Sequence, residues 1–136
     1  MLVCLRGMEK VVLAYSGGVV TTAALHWLKR TRGLKVVALA VNVGQGIDQD
    51  EIAQRAIEAG ADSVHAIDRR RTFLKQYCFK ALKASARYEG TYYLSAALSR
   101  PLIATEMVSL ALKQDPGLAA ELRDMVDTEK ARYTVE

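Results

Sequence analysis

The stretch Lys10–Thr22, KVVLAYSGGVVTT, decides how the rest of the chain is read. Lys10 to Tyr15 is a short, apolar run with β-branched Val11 and Val12, the pattern of a strand buried on both faces. It stops at Ser16-Gly17-Gly18. A helix is predicted over residues 21–32: Ala24, Leu25 and Leu28 share one face, Lys29 and Arg30 sit near its end, and Gly33 stops it. Two glycines behind a buried strand permit positive φ and turn backbone N–H groups toward one point. The helix start adds unpaired N–H groups and the positive end of its dipole. Ser16, Thr21 and Thr22 bring hydroxyls to the same place. Together they make an anion cradle suited to phosphate or pyrophosphate. The lysine of a Walker loop is missing, and a plain strand-to-helix turn capped by Thr21 is the alternative.

Beyond this stretch the same grammar repeats. Lys35 to Val41 reads as a second buried strand and enters a second glycine-bearing loop, Asn42-Val43-Gly44-Gln45-Gly46. Asp48 or Asp50 caps a helix running to Ala59, with Gly60 as its stop. Ser63 to Ile67 is a third short strand. A long helix is predicted from about Arg70 to Ala86, with Phe73, Tyr77, Ala81 and Leu82 at helical spacing. Tyr92 to Lys113 reads as helix broken near Pro101, and Pro116 opens a last helix to about Val126. Strand and helix alternating three times imply an α/β fold: an open parallel sheet with helices on both faces. Ligands in such sheets bind beyond the carboxyl ends of the strands, where both glycine-bearing loops lie.

Composition agrees with one domain spanning residues 1–136. The chain is 51% hydrophobic and 25% charged with 2 prolines, which excludes disordered and linker-rich architectures. The net charge of +4 is scattered, and only Arg69, Arg70 and Arg71 form a run, read as a solvated face, so no nucleic-acid partner is expected. No apolar stretch reaches the roughly 18 residues needed to span a bilayer, and no membrane partner is expected. The first ten residues are too short an apolar run for a signal peptide, and Met8 as an alternative start would make those before it dispensable. Cys4 and Cys78 match no disulfide framework or metal spacing, which points to a reducing cytoplasm. His26 and His65 have no partner at metal-ligand spacing. Gly44-Gln45-Gly46 lacks the third glycine of a dinucleotide fingerprint.

The run Val11 to Gly18, V-V-L-A-Y-S-G-G, resembles the opening of argininosuccinate synthase, whose phosphate loop reads A-Y-S-G-G-L-D-T-S. Trp27-Leu28-Lys29 is similar to that family's W-L-K, Asn42-Val43-Gly44-Gln45 to its N/D-V/L-G-Q, and Ala59-Gly60-Ala61 to its L-G-A turn. Asp68, Arg70 and Phe73 fall where a D-L-R-E-E-F run would place them. Tyr88-Glu89-Gly90, Tyr92 and Leu98-Ser99-Arg100-Pro101-Leu102-Ile103-Ala104 resemble Y-E-x-R-Y-L-L-G-T-S-L-A-R-P-x-I-A. The likeness runs from about Lys10 to Leu112. It implies an adenine nucleotide alpha hydrolase-like fold and ATP as ligand, with Mg2+ if the family mechanism is retained. That mechanism adenylates the ureido oxygen of citrulline, releases pyrophosphate, and lets aspartate displace AMP. By position, the resemblance implies that Ala14, Tyr15, Ser16, Gly17, Gly18, Thr21 and Thr22 hold the phosphates and Val41 the adenosine end. It places Tyr92 and Ala97 at citrulline.

Several positions depart from the family pattern. Val20 replaces the loop's acidic residue, Val41 a small alanine, and Ala97 the citrulline-binding serine, while the block H-G-x-T-G-K-G-N-D-Q does not occur. The reading is an adenine-nucleotide-binding protein that lacks the full ligase activity on its own. The alternatives are a synthase subunit completed by a partner chain, or a non-catalytic interaction protein that keeps only the fold. A homo-oligomer, most simply a two-fold dimer, is expected. After Lys113 only Arg132 to Val135 offers a further strand, so a sheet edge would stay open.

Overall fold

The structure, a computed structural model, describes residues 1–5, 9–46, 48–117 and 120. Its main sheet has four strands in the order β1 (Leu2–Leu5), β2 (Lys10–Ala14), β3 (Lys35–Asn42) and β4 (Ser63–Asp68). β2, β3 and β4 run parallel, as the sequence pattern predicts, and β1 pairs antiparallel with β2. Helices α1 (Val19–Arg30) and α2 (Gln49–Glu58) provide the crossovers.

Alternation along the strands separates two cores. Val11, Leu13, Tyr15, Val36, Ala38 and Ala40 face α1 and α2, meeting Leu25, Leu28, Ile52 and Ala56. Val12, Val37, Leu39 and Val41 face the opposite way, toward Met107, Leu110 and Ala111 of α5 (Ser95–Gln114). A sheet sandwiched between helices needs strands apolar on both faces, which is why β2 and β3 read as unbroken apolar runs.

Asp62 locks one end of this arrangement. It accepts from Lys29 Nζ on α1 at 2.7 Å and from the Val36 N–H at the start of β3, also at 2.7 Å. Burial alone would raise its pKa. The lysine and amide donors, with the charge of Lys35, outweigh that and lower it.

Several expectations are corrected. Within the stretch that a start at Met8 would leave out, Leu2–Leu5 is an ordered strand that covers the outer edge of β2 in register Leu2↔Leu13 to Leu5↔Lys10. The outer edges of the main sheet are then those of β1 and β4. The helix after Arg70 is three segments: α3 (Arg70–Phe73), a π-helical turn (Leu74–Cys78) and α4 (Phe79–Lys83). The wide turn inserts an extra residue into the 3.6-residue repeat, so Phe73 stays buried while Leu82, grouped with it by spacing, is 61% exposed.

Tyr92 does not begin a helix. It pairs with Tyr88 in a small hairpin, β5 (Arg87–Tyr88) and β6 (Tyr92–Tyr93), whose turn places Glu89 at φ +50° and Gly90 at φ +73°. Pro101 does not break α5, because burial of Leu102, Met107, Leu110 and Ala111 outweighs the single hydrogen bond that proline forfeits. Pro116 lies in a turn, and the strand expected at Arg132 to Val135 lies outside the described residues, as does most of the helix to Val126.

Candidate functional site at the carboxyl end of β2

β2 delivers Tyr15 to the edge of the core, where its ring is buried and its hydroxyl shares a 2.9 Å hydrogen bond with Thr22 Oγ1. The chain then turns through Gly17, at φ +75°, and enters α1. Gly18 is the N-cap, and no side chain caps the helix. The alternative of a turn capped by Thr21 is therefore not realised. Thr21 Oγ1 donates to the Gly18 carbonyl at 3.1 Å and accepts from the Ser16 N–H at 3.4 Å. Since the Thr21 proton is directed at that carbonyl, Ser16 Oγ is the donor in their 3.2 Å contact. One rotation of the Ser16 hydroxyl turns its proton toward an incoming anion.

The first turn of α1 leaves the N–H groups of Val19, Val20 and Thr21 without an acceptor among the described residues. These donors, the helix dipole and the Ser16 hydroxyl share one spot. Val19 and Val20 stand almost fully exposed at its rim, and the first turn carries no acidic residue.

Beside the loop lies an open cleft of about 320 Å³, lined by Tyr15, Gly17, Thr22, His26, Arg55, Glu58 and Ala59. Arg55 pairs with Glu51 at 2.5 Å, and its guanidinium lies 4.0 Å from where a Cβ on Gly17 would stand. Nothing in the sequence around Arg55 marks it. Only the packing of α2 against the loop brings this cation there.

The loop after β3 is closed on itself. The Val43 N–H donates to Gln45 Oε1 at 2.8 Å, the Gly44 N–H to Asn42 Oδ1 at 2.9 Å, and Gln45 Nε2 to the Val41 carbonyl at 3.0 Å. Asp48 caps α2 as expected, accepting from the Asp50 N–H at 2.9 Å. The Val41 side chain is buried in the core facing α5.

The structure thus gathers Tyr15, Ser16, Gly17, Gly18, Thr21 and Thr22 at one point, with Ala14 half-buried just before them. Val41 is the last residue but one of the adjacent strand β3. Tyr92 lies in the hairpin, and Ala97 is exposed on the first turn of α5. Among the described residues no group of three His, Cys, Asp or Glu side chains is placed to hold a metal ion.

A mostly parallel sheet covered on both faces, with a glycine turn, hydroxyls and an uncapped helix start at its first parallel strand, defines an open-sheet α/β domain. Residues 10–121 match the family described as the arginosuccinate synthase N-terminal HUP domain. The chain belongs to that family.

Similar proteins include argininosuccinate synthases from Clostridium novyi, 48% identical over 106 residues, and Moorella thermoacetica, 44% identical over 106 residues. Each alignment covers 78% of this chain and 26% of the relative. The chain therefore spans about a quarter of the length of these curated relatives. No helix among the described residues is long and apolar enough to cross a membrane.

Proposed function

We propose that this domain binds an adenine nucleotide, ATP in the first instance, through its phosphates at Ser16 to Thr22, and does not by itself complete the ligase reaction. The observation that carries the reading is the set of unpaired N–H groups at Val19, Val20 and Thr21. They converge with the Ser16 hydroxyl where a phosphate can replace water as acceptor. Family membership supports adenine as the base, with Val41 at the strand end beside it. The donor set fits a polyphosphate. It does not fit a protein-held Mg2+, since Val20 gives the first turn no carboxylate. Mg2+ would arrive as the counter-ion of the nucleotide.

Calorimetric titration with ATP, AMP and pyrophosphate, each with and without Mg2+, tests this. Saturable binding of ATP and pyrophosphate is expected, and no heat from either ligand refutes the reading.

The chain alone is expected to release no pyrophosphate from ATP in a citrulline-dependent way. Ala97 offers no hydroxyl to citrulline, and three-quarters of each synthase relative lies outside the match. Turnover requiring both citrulline and aspartate in a contaminant-free preparation would overturn this. The short match also favours a second reading, in which a partner chain supplies the remaining groups and citrulline meets Tyr92. Restored turnover on adding such a chain would distinguish it. The reading places the protein in the cytoplasm. It keeps a homo-oligomer, now through the outer edge of β1, which has no strand partner among the described residues. Sedimentation at micromolar concentration decides that last point.

A further inference from the structure

Charge in this chain is segregated in a way that runs of like residues conceal. Residues 69–88 hold seven of the 19 lysines and arginines and none of the 15 acidic residues, so the rest of the chain carries 12 cations against 15 acids. Two of the seven are tied down: Arg69 pairs with Glu106 on α5, and Arg70 with Asp68. Arg71, Lys75, Lys80 and Lys83 are exposed and carry no ion pair among the described residues.

The same surface is apolar. Phe73 anchors the segment by its buried side, while the π-helical turn rotates Leu74, Phe79 and Leu82 outward to 48%, 51% and 61% exposure. Three large apolar side chains among four unpaired cations is not an ordinary solvated helix face. That pairing of properties is the one amphipathic helices use at an anionic interface: apolar tips enter the acyl boundary while lysine stems reach the headgroups.

We propose that the α3–α4 face docks on an anionic phospholipid surface. Charge complementarity selects an acidic partner. The convex helix, with side chains standing off it, suits a deformable interface better than a protein surface that would need a matching groove. Docking here is peripheral and needs no spanning segment. It also reverses the expectation of no membrane partner, which rested on counting runs rather than faces.

Co-sedimentation of the full chain with vesicles tests the proposal, comparing pure phosphatidylcholine with vesicles containing about one-third phosphatidylserine. Binding to the anionic vesicles is expected to exceed binding to the neutral ones by at least about tenfold, and to fall when salt is raised from about 0.1 M to about 0.5 M. The triple variant Lys75→Glu, Lys80→Glu, Lys83→Glu should lose this binding. Leu74→Ser with Phe79→Ser should weaken it several-fold. These side chains are exposed, so circular dichroism and thermal unfolding should confirm an intact fold. Equal partition to both vesicle types, no partition to either, or an unchanged affinity in the charge-reversal variant overturns the proposal. So does binding to soluble polyglutamate without binding to anionic vesicles, which would assign the face to an acidic protein segment instead.

Discussion

The loops that follow β2 and β3 occupy equivalent places at the carboxyl end of a parallel sheet, both contain glycines at positive φ, and both lead into a helix. They differ in where their backbone donors go. After β3, Asn42 and Gln45 turn back on the main chain and Asp48 caps α2, so the loop is complete without a ligand. After β2, no side chain caps α1, and Ser16 and Thr21 spend their hydrogen bonds on each other and on Gly18. A loop that satisfies itself holds a shape, whereas one that leaves its donors open has them free for the anion proposed above. The open loop must then draw its shape from elsewhere: the strand before it, the buried face of α1, and α2 beside Gly17.

The first way to break this contrast is to unseat α1. Leu25 is fully buried against the sheet, and Leu25→Ala should lower stability by about 3 kcal/mol through lost burial and a cavity. Urea unfolding measures that loss. Nucleotide binding should fall with it, while the hydrogen bonds of the Val43 and Gly44 N–H groups in the loop after β3 should persist, which amide exchange would read.

Gly17→Val acts more locally. Its Cβ would stand 3.7 Å from Ile52 Cγ1 and 3.9 Å from Arg55 Cδ, ordinary contacts directed at α2 and not at the phosphate position. The penalty comes from φ +75°, about 1–2 kcal/mol for a residue with a Cβ. Relaxing that strain swings the N–H groups away from their common point. Affinity for ATP should drop more than tenfold in a variant that still folds, and an unchanged affinity would mean the loop does not bind phosphate.

Smaller effects sharpen the other side of the comparison. Asn42→Ala and Gln45→Ala each remove acceptors that close the loop after β3, and each should reduce stability by about 1 kcal/mol. Both should leave ATP affinity within about threefold, as expected if that loop only bounds the site. A larger loss of affinity than of stability would make it a ligand-contacting loop after all.

The smallest effect is one of pH. Asp68, paired with Asn42 across the strands, has its carboxyl pulled down to about 2 by hydrogen bonds from the Arg70 side chain and N–H. A carboxylate held more acidic in the folded chain stabilises it above about pH 4, and that contribution disappears as pH falls through about 2. Unfolding midpoints of the parent and Asp68→Asn should therefore differ slightly near neutrality and converge in acid.

How much of this was legible beforehand varies by element. β2 and β3 announced themselves because strands buried on both faces admit few residue types, β4 as a short run between turn signals, and Gly60 and Asp48 marked the ends of α2 as caps do. The gathering of Ser16, Gly17, Gly18 and Thr21 followed from a turn too short to place them elsewhere. The alternative of a turn capped by Thr21 is not realised, because a threonine at a helix start has several backbone partners within reach and only the realised φ and ψ choose among them. The hairpin at Tyr88–Tyr92 was missed because Glu-Gly is a weaker turn signal than Asn-Gly. Pro101 misled because a proline rule weighs one hydrogen bond and not the packing of a twenty-residue helix.

The amino-acid sequence by itself determined the order of the parallel strands and their crossover helices, the glycine-and-hydroxyl composition of the loop after β2, and the family, because all three rest on residues adjacent in the chain. Tertiary structure alone decided which strand lies beside which, and so that Leu2–Leu5 closes the edge of β2. It also decided that Arg55 stands by Gly17 and that a π-helical turn gathers Leu74, Phe79 and Leu82 on one basic face. Local propensity acts over a few residues, whereas these placements depend on what the rest of the chain leaves uncovered.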